Sequence, residues 1–487
     1  METKGDKKMS ILGHLEPSKV FYYFEEICKI PHGSGNIDKI SDYLVTFAKE
    51  RNLEYYQDEI KNVIIIKEAT KGYEGKEAIM LQGHMDMVAV KKPESDINME
   101  TEGLRLKAEG DTVYAEDTSL GGDDGIAVAY ELALLDSDDI SHPRMECIFT
   151  VDEEVGLNGA AAIDLSVCKA KRMLNLDSEE EGIFLTGCAG GMRVDCCLPI
   201  KRENKDGALC EVHIGGLTGG HSGAEIHKGR ANSNTLMGRF LVHAAKKVEM
   251  NIVSLEGGLA DNAIPRETRM QVVVADVEGL NAQVAEFDRI LKTEYATKDA
   301  GIFVKVTVKE VGTFKALTAE DSKKAGNLLY LLPGGVQAMS GDVEGLVETS
   351  LNMGILSMKE EQMNLGFSVR SSIESAKYML EEKLYALTES LGGSCTSTGD
   401  YPGWAYRVDS PLRDSMAEIY TKMYGKAPKI EAIHAGLECG FFLGKIPELD
   451  CVSIGPDMKD IHTTEETMSV SSVKRTWEFI LKVLEEA

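Results

Sequence analysis

The sequence lacks membrane-directed and nucleic-acid-directed features. Its first residues, Met-Glu-Thr-Lys-Gly-Asp-Lys-Lys, contain no apolar region, and no run of the about 18 apolar residues that a membrane span needs follows anywhere in the chain. Positive charge is also scarce, with 53 Lys and Arg against 80 Asp and Glu and a formal net charge of −27. Nucleic acids and anionic membranes both need positive patches, so we expect neither as a partner.

Two chemical signatures are missing as well. The ten Cys residues include no Cys-x-x-Cys pair, and Cys147, Cys196 and Cys451 lie inside strand-like apolar runs. This pattern predicts buried, reduced thiols in a cytoplasmic protein. The glycine-rich stretch Gly121–Gly125 resembles a phosphate loop, but no Gly-Lys-Ser/Thr follows it, and its two aspartates would repel a phosphate.

What remains is typical of a large α/β protein. The chain has 487 residues, which is too long for one hydrophobic core, and 43% of them are hydrophobic. Residues 15–50 have helical periodicity that is broken at Pro31–Gly35. Short apolar runs predict buried strands at 62–66, 78–81, 145–151, 172–176 and 451–454.

Ligand-type side chains follow these predicted strands. His84 and Asp86 come just after the run at 78–81, and their i, i+2 spacing places both side chains on one face of extended backbone. A carboxylate in that position could fix the tautomer of a metal-bound imidazole. Ordinary turn chemistry explains an isolated His-x-Asp equally well.

Five further residues extend the pattern. Asp123 follows paired glycines, Glu153 and Glu154 follow a strand, Asp177 follows another, and His462 lies beyond the run at 451–454. Adjacent glutamates are usually solvated, but here one could bind a metal while its neighbour moves protons. Together, two histidines and three carboxylates at successive strand ends predict a pair of Zn²⁺-like ions with one bridging carboxylate.

The order of these motifs resembles that of the dinuclear zinc exopeptidases, which include aminoacylase, glutamate carboxypeptidase, carnosinase and bacterial dipeptidases. The quoted motifs are joined by Asn-Leu-Asp-Ser-Glu-Glu-Glu-Gly at 175–182, Thr186–Gly191, Gly219–Ile226 and His434–Gly440, so the resemblance spans essentially the whole chain. It implies an α/β catalytic domain with a mixed sheet and an inserted α+β lid. It also implies hydrolysis of dipeptides, including Xaa-His substrates. A tripeptidase or an N-acyl amino-acid hydrolase with the same metals is the alternative. A silent binding relative would lack part of the ligand set or the base.

The resemblance also implies residue roles. Two zinc ions, for which cobalt or manganese may substitute, would be held by His84 with Asp177 and by Glu154 with His462, with Asp123 bridging. Glu153 would be the general base and Asp86 the orienting acid. The peptide bond after Asp123 would be cis. In the bridging loop, Gly122 and Asp124 stand where we expect Ala and Asn.

The middle of the chain carries none of these ligands. We expect a catalytic domain formed by residues 1–191 and 399–487, with a lid at 192–398 whose helix and strand patterns repeat faintly, as two similar halves would. Any two halves of this type look alike, however, and oligomeric state stays open between monomer and homodimer.

Three lid residues are candidates for the substrate, which we expect to be a small peptide. The resemblance implies that His221 reaches over the metals and stabilises the oxyanion, with Asn262 nearby. Arg370, near a strand end, could bind the C-terminal carboxylate or simply form a surface salt bridge. His434 and Glu438 in a glycine-rich turn suggest a pocket wall without an assigned role.

Overall fold

The structure is a computed structural model that describes residues 10–486. The helices in this range are α1 (Ser18–Cys28), α2 (Asp38–Glu50), α3 (Gly122–Leu135), α4 (Asn158–Ala162), α5 (Ser233–Ala244), α6 (Val277–Glu294), α7 (Ala319–Leu331), α8 (Glu374–Ser390), α9 (Pro411–Tyr424), α10 (Cys439–Lys445) and α11 (Val470–Glu486). No helix among these residues is both long and apolar enough to cross a membrane.

The strands in the same range are β1 (Glu54–Gln57), β2 (Val63–Lys67), β3 (Ile79–His84), β4 (Leu106–Glu109), β5 (Thr112–Ala115), β6 (Met145–Thr150), β7 (Arg172–Asn175), β8 (Ile183–Cys188), β9 (Gly190–Pro199), β10 (Arg202–Gly215), β11 (Gly220–His221), β12 (Asn251–Gly257), β13 (Ala263–Ile264), β14 (Thr268–Val274), β15 (Phe303–Leu317), β16 (Gly335–Met339), β17 (Val347–Met358), β18 (Gln362–Ser371), β19 (Ser394–Tyr401), β20 (Lys429–Ile433), β21 (Asp450–Ser453), β22 (Met458–Lys459) and β23 (Thr467–Ser469).

The chain forms two compact units. The first takes the described residues of Met1–Thr186, Arg407–Ala432 and Leu437–Ala487, and the second takes Gly187–Tyr406 and Ile433–Gly436. The chain therefore returns to the second unit for only a short segment before α10. Which unit is catalytic and which is a lid stays a prediction.

The first unit is built on a sheet of eight strands in the order β1-β2-β6-β3-β7-β21-β8-β20. Strands β6, β3, β7 and β21 run parallel at its centre, and β1 and β2 are antiparallel neighbours at one side. Both β3 and β6 are buried along their whole length, because helices cover a central parallel sheet and leave no solvent face. Their carboxyl ends meet at one edge, where ligands of such sheets bind.

Helix α3 anchors the core of this unit. It is apolar on nearly all sides, as a helix enclosed by other elements must be. Tyr130 stacks on Trp477 of α11 with ring centroids 6.0 Å apart, and its hydroxyl donates to the Val473 carbonyl oxygen at 2.9 Å. These contacts fix the helix whose first turn carries Asp123.

The second unit has an antiparallel sheet whose two halves share one topology. In the first half, the strands order as β15-β10-β14-β12, and in the second as β19-β9-β18-β17. In each half, the order across the sheet is therefore the last, first, third and second strand that the half contributes along the chain. Helices α5 and α6 belong to the first half, and α7 and α8 belong to the second. Strands β12 and β17 join the halves by pairing Glu256 with Ser357 and Gly257 with Leu356.

The predicted pair of similar halves is thus confirmed, but the two halves do not follow one another along the chain, which the sequence did not reveal. Strand β9 belongs to the second half but precedes the entire first half. Residues of β9, β10, β14 and β18 pack with α5 to α8 into the main apolar core of the unit. Cys147, Cys196 and Cys451 are buried, as predicted, and no disulfide joins the ten cysteines, all of which lie within residues 10–486.

Candidate metal centre

Three of the predicted ligands follow neighbouring parallel strands. His84 is the last residue of β3, Glu154 lies shortly after β6, and Asp177 lies two residues after β7. Gly83 permits this arrangement, because a Cβ there would lie 2.4 Å from the Cβ of Ala127 in α3. The absent side chain lets α3 approach the strand end closely.

Asp123 and His462 reach the site differently, so the prediction that all five ligands follow strand ends is wrong for these two. Asp123 lies in the first turn of α3 with a non-helical φ of −82° and ψ of 105°, after Gly121 at φ 66°. His462 lies in the turn between β22 and β23 at φ 61°. A sheet edge supplies only one side of a two-ion site, and loops have to supply the rest. The peptide bond between Asp123 and Asp124 is cis, as predicted.

The five side chains converge. His84 Nε2 lies 3.1 Å from Asp123 Oδ1 and 3.5 Å from Asp177 Oδ1. His462 Nε2 lies 3.1 Å from Asp123 Oδ2 and 2.9 Å from Glu154 Oε1. The two oxygens of Asp123 therefore face different imidazoles, which is the geometry that a bridging carboxylate requires.

A second grouping of donors overlaps with these. Ligand atoms of His84, Glu153 and Glu154 also lie within 4.8 Å of one another. Position alone therefore leaves both glutamates within reach of a cation, and their roles have to be separated by experiment.

Asp86 orients both the histidine and the glutamate. His84 Nδ1 donates to the Asp86 carbonyl oxygen at 2.9 Å, while the Asp86 carboxylate lies 3.6 Å away. A neutral ring with its proton on Nδ1 turns the Nε2 lone pair toward the site. The Asp86 carboxylate instead accepts the Glu153 N–H at 3.1 Å and the Ser34 hydroxyl at 2.8 Å.

Ser34 was missed by sequence reasoning, which treated Pro31–Gly35 only as a helix break. Its signal was a polar residue between two glycines in that break. The same loop donates the Gly35 N–H to Asp152 Oδ1 at 2.7 Å, so it fixes the segment that carries the two glutamates.

The charges of the site are strongly coupled. Burial opposes a charged imidazole, yet hydrogen bonding to Asp123 and Asp177 raises the pKa of His84 well above its usual value. Hydrogen bonding, first to Asp123, raises the pKa of His462 to about 10. Burial raises the pKa of Asp177 to about 7 and that of Glu153 well above its usual value. More carboxylates are buried here than two rings can balance, so additional positive charge would stabilise the site.

The donor set fits a pair of metal cations. Glu154 Oε1 is buried and accepts no hydrogen bond among the described residues, although His462 Nε2 is 2.9 Å away. A cation bound beside these two atoms would satisfy the buried Glu154 oxygen. Imidazole nitrogens with carboxylate oxygens are the ligands of Zn²⁺ and related divalent ions.

Glu438 belongs to a polar layer beneath this centre. It is fully buried, and its Oε2 accepts from Gln82 Nε2 and from the Thr150 hydroxyl, each at 2.6 Å. Burial raises its pKa to about 7. Gln82 and Thr150 lie on β3 and β6, so Glu438 braces the strand ends that precede His84 and the glutamates. His434 lies in the second unit, where its Nε2 is 2.7 Å from Ser350 Oγ.

In the second unit, His221 has a defined tautomer. Its Nδ1 accepts the N–H groups of Gly223 and Ala224, each at 3.1 Å, so the proton of the neutral ring is on Nε2. Partial desolvation and the nearby Arg370 guanidinium lower its pKa, which keeps the ring neutral at pH 7. The Nε2–H of this exposed side chain is therefore a hydrogen-bond donor. His221 and Asn262 line one cavity of about 940 Å³.

Arg370 lacks an anionic partner within residues 10–486. Its Nη1 donates to the Tyr401 hydroxyl at 3.1 Å, and its buried Nε has no hydrogen-bond partner in that range. Both Arg370 and Tyr401 align with Gly191 of β9 in the sheet, and a Cβ at Gly191 would lie 2.6 Å from the Tyr401 hydroxyl. The guanidinium is thus held in place with donors to spare, as an anion-binding arginine would be.

Donor groups for two cations at the carboxyl edge of a parallel sheet are the arrangement expected of a metal-dependent hydrolase of α/β architecture. Residues 80–486 match the peptidase family M20/M25/M40, and the chain belongs to that family. It is 35% identical to the cytosol non-specific dipeptidase of Escherichia coli strain K12. The alignment of 483 residues covers 98% of this chain and 99% of that relative.

Solved structures agree. The aminoacylhistidine dipeptidase from Vibrio alginolyticus is 35% identical, with a TM-score of 0.94 and 98% of each chain covered. Aminopeptidase PepT from Bacillus cereus ATCC 10987 is 16% identical, with a TM-score of 0.54, 97% of this chain and 99% of that chain covered; it shares the fold.

Proposed function

We propose that this protein is a metal-dependent dipeptidase that acts on Xaa-His and related dipeptides. The observation that carries the proposal is Asp123, whose two oxygens lie 3.1 Å from His84 Nε2 and from His462 Nε2. A carboxylate whose two oxygens face two imidazoles can bridge two cations, with one imidazole on each. The names of the Escherichia coli and Vibrio alginolyticus relatives support dipeptides as the substrate class.

The residues divide between two ions. His84 and Asp177 would hold one, Glu154 and His462 the other, and Asp123 both. Two Zn²⁺ ions, or Co²⁺ or Mn²⁺ in their place, would when bound polarise the scissile carbonyl and acidify a water molecule.

Glu153 is the general base of this proposal. Its N–H is fixed by the Asp86 carboxylate at 3.1 Å, so the residue is positioned independently of any ligand. It takes a proton from the attacking water and delivers it to the leaving amine. Burial raises the pKa of Glu153 well above that of a solvated glutamate, which makes it a stronger base once ionised.

Substrate groups are assigned to the second unit. His221, neutral with Nε2–H free to donate, would stabilise the oxyanion, and Asn262 beside it would add a hydrogen bond. Arg370 would bind the C-terminal carboxylate in bidentate fashion, since no carboxylate of the described chain occupies it. A small peptide in the cytoplasm is the expected partner, and the protein would act as a monomer or homodimer.

The alternative is a tripeptidase or an N-acyl amino-acid hydrolase with the same metals. A panel of Xaa-His dipeptides, other dipeptides, tripeptides and N-acetyl amino acids separates them. The metal-replete protein should hydrolyse dipeptides fastest, and the chelated protein none. Preference for N-acetyl amino acids or tripeptides would overturn the proposal.

A further inference from the structure

Glu466 is a buried carboxylate outside the predicted site, with 3% of its surface exposed. Its Oε2 accepts the N–H groups of Leu120 at 2.8 Å and Gly121 at 3.2 Å, and its Oε1 accepts the Gly122 N–H at 2.8 Å. Three consecutive backbone donors thus surround one side chain, which is an anion-binding arrangement of the nest type.

The loop that Glu466 binds carries Asp123. Residues 116–121 lie in no strand or helix, because β5 ends at Ala115 and α3 begins at Gly122. Gly121 takes φ 66°, a left-handed conformation that bends the three N–H groups toward one point. Without an acceptor there, these buried donors would be unsatisfied.

Glu466 itself ends the loop that carries His462. This loop is irregular as well, with Asp460 at φ 52° and His462 at φ 61°. It begins after β22 and ends at β23. Neither loop therefore obtains its shape from a strand ladder. Besides the contact between the two ligands themselves, His462 with Asp123, the Glu466 carboxylate joins one loop to the backbone of the other.

We propose that Glu466 is a positioning residue, whose carboxylate ties the Asp123 loop to the His462 loop and so sets the separation of these two ligands. This inference rests on the proposed function for its metal ions. Glu466 would contact neither the substrate nor the ions. Its effect is transmitted through the backbone of residues 120–122.

The two ions should depend on this tie unequally. Both ions share Asp123, whose loop Glu466 holds. The other ligands of the first ion, His84 and Asp177, come from β3 and from just beyond β7, where the sheet fixes them. The ion assigned to Glu154 and His462 takes a second ligand, His462, from a loop that Glu466 holds. Loosening the tie should therefore weaken the second ion chiefly.

The test is calorimetric titration of metal-free protein with ZnCl₂. Glu466→Gln keeps the side chain's shape but places an NH₂ group against at least one backbone N–H. Glu465→Gln is the matched control, because it removes the same charge from the adjacent residue, whose side chain is 68% exposed and pairs with Lys92.

For Glu466→Gln we expect one binding step to weaken by about tenfold or more and the other to change by less than about twofold. Glu465→Gln should leave both steps unchanged. Wild-type binding of both ions by Glu466→Gln would overturn the inference. Equal weakening by Glu465→Gln would overturn it too, since net charge would then suffice.

A second measurement needs no variant. Residue-resolved hydrogen exchange of metal-free wild-type protein should show the amides of Leu120, Gly121 and Gly122 protected by at least about tenfold, because they lie outside any ladder and bond only to Glu466. Exchange at the unprotected rate would overturn the inference even if the variant fails to fold. Because neither metal nor substrate is present, this result is separate from failure of the dipeptidase proposal.

Discussion

The adjacent glutamates provide the sharpest prediction about mechanism. Glu153 and Glu154 are neighbours in sequence, yet their carboxylates have different surroundings. Glu154 Oε1 lies 2.9 Å from His462 Nε2, whereas Glu153 is held through its N–H by Asp86 at 3.1 Å. Replacing each by glutamine keeps size and removes charge, so the pair tests base against ligand.

The expected magnitudes differ by quantity measured. Glu153→Gln removes proton transfer, which contributes about 10²–10⁴-fold to turnover, or about 3–5 kcal/mol of activation free energy. It should leave about two ions per chain, because neither of the two donor groups that contain Asp123 includes Glu153. Glu154→Gln removes one of the three ligands in the group of Asp123, Glu154 and His462. The ion that this group holds should therefore be lost on gel filtration.

The assay combines elemental analysis of gel-filtered protein with steady-state hydrolysis of one dipeptide. Glu180→Gln, an exposed glutamate nearby, is the control and should change neither reading. If Glu153→Gln loses metal while Glu154→Gln keeps it, the overlapping donor group of His84, Glu153 and Glu154 is the true one, and the assigned roles are reversed.

Three further predictions follow from other parts of the molecule. Arg370→Ala should lose about one to two decades of kcat/KM on free dipeptides, the value of a charge-assisted hydrogen bond, but little on C-terminally amidated ones; equal losses would show a structural role instead. Asp124→Asn should stabilise metal-free protein, because it removes a buried carboxyl group whose pKa burial raises above its unfolded value. Such a group makes folding less favourable as pH rises from about 4 toward the folded pKa, and asparagine does not. The gain in unfolding free energy by urea titration should be larger at pH 8 than at pH 5, and a gain that shrinks with pH would refute this reasoning. Trp477 lies in the first unit and Trp404 in the second, so the fluorescence of each, followed in a variant that lacks the other, reports the melting of one unit. Chelation should lower the melting temperature reported by Trp477 more than that reported by Trp404. Equal shifts would show that both units depend on metal.

Local sequence patterns were enough for the strand-borne part of the site. The apolar runs before His84, Glu154 and Asp177 are β3, β6 and β7, and parallel strands bring their ends together by necessity. Asp123 and His462 follow no such rule, because each lies in a turn whose shape depends on contacts elsewhere. Motif order, not periodicity, identified them.

The supporting residues could not be predicted for a related reason. Ser34 acts on Asp86 across 52 residues, and Glu466 acts on Leu120 across 346. No local pattern marks a serine or a glutamate as the partner of a distant carboxylate or loop. The pairing of β9 with β18 and β19, which lie far along the chain, could not be predicted either, since the order of strands in a sheet is a tertiary property.

The measurement that tests the central claim most directly is a metal titration of the chelated protein followed by dipeptide hydrolysis. Asp123 lies 3.1 Å from both imidazoles, so both ions should be needed for catalysis, and activity should reach its maximum only at about two Zn²⁺ per chain. Full activity at one tightly held ion per chain would contradict Asp123 as a bridge and the two-ion site with it.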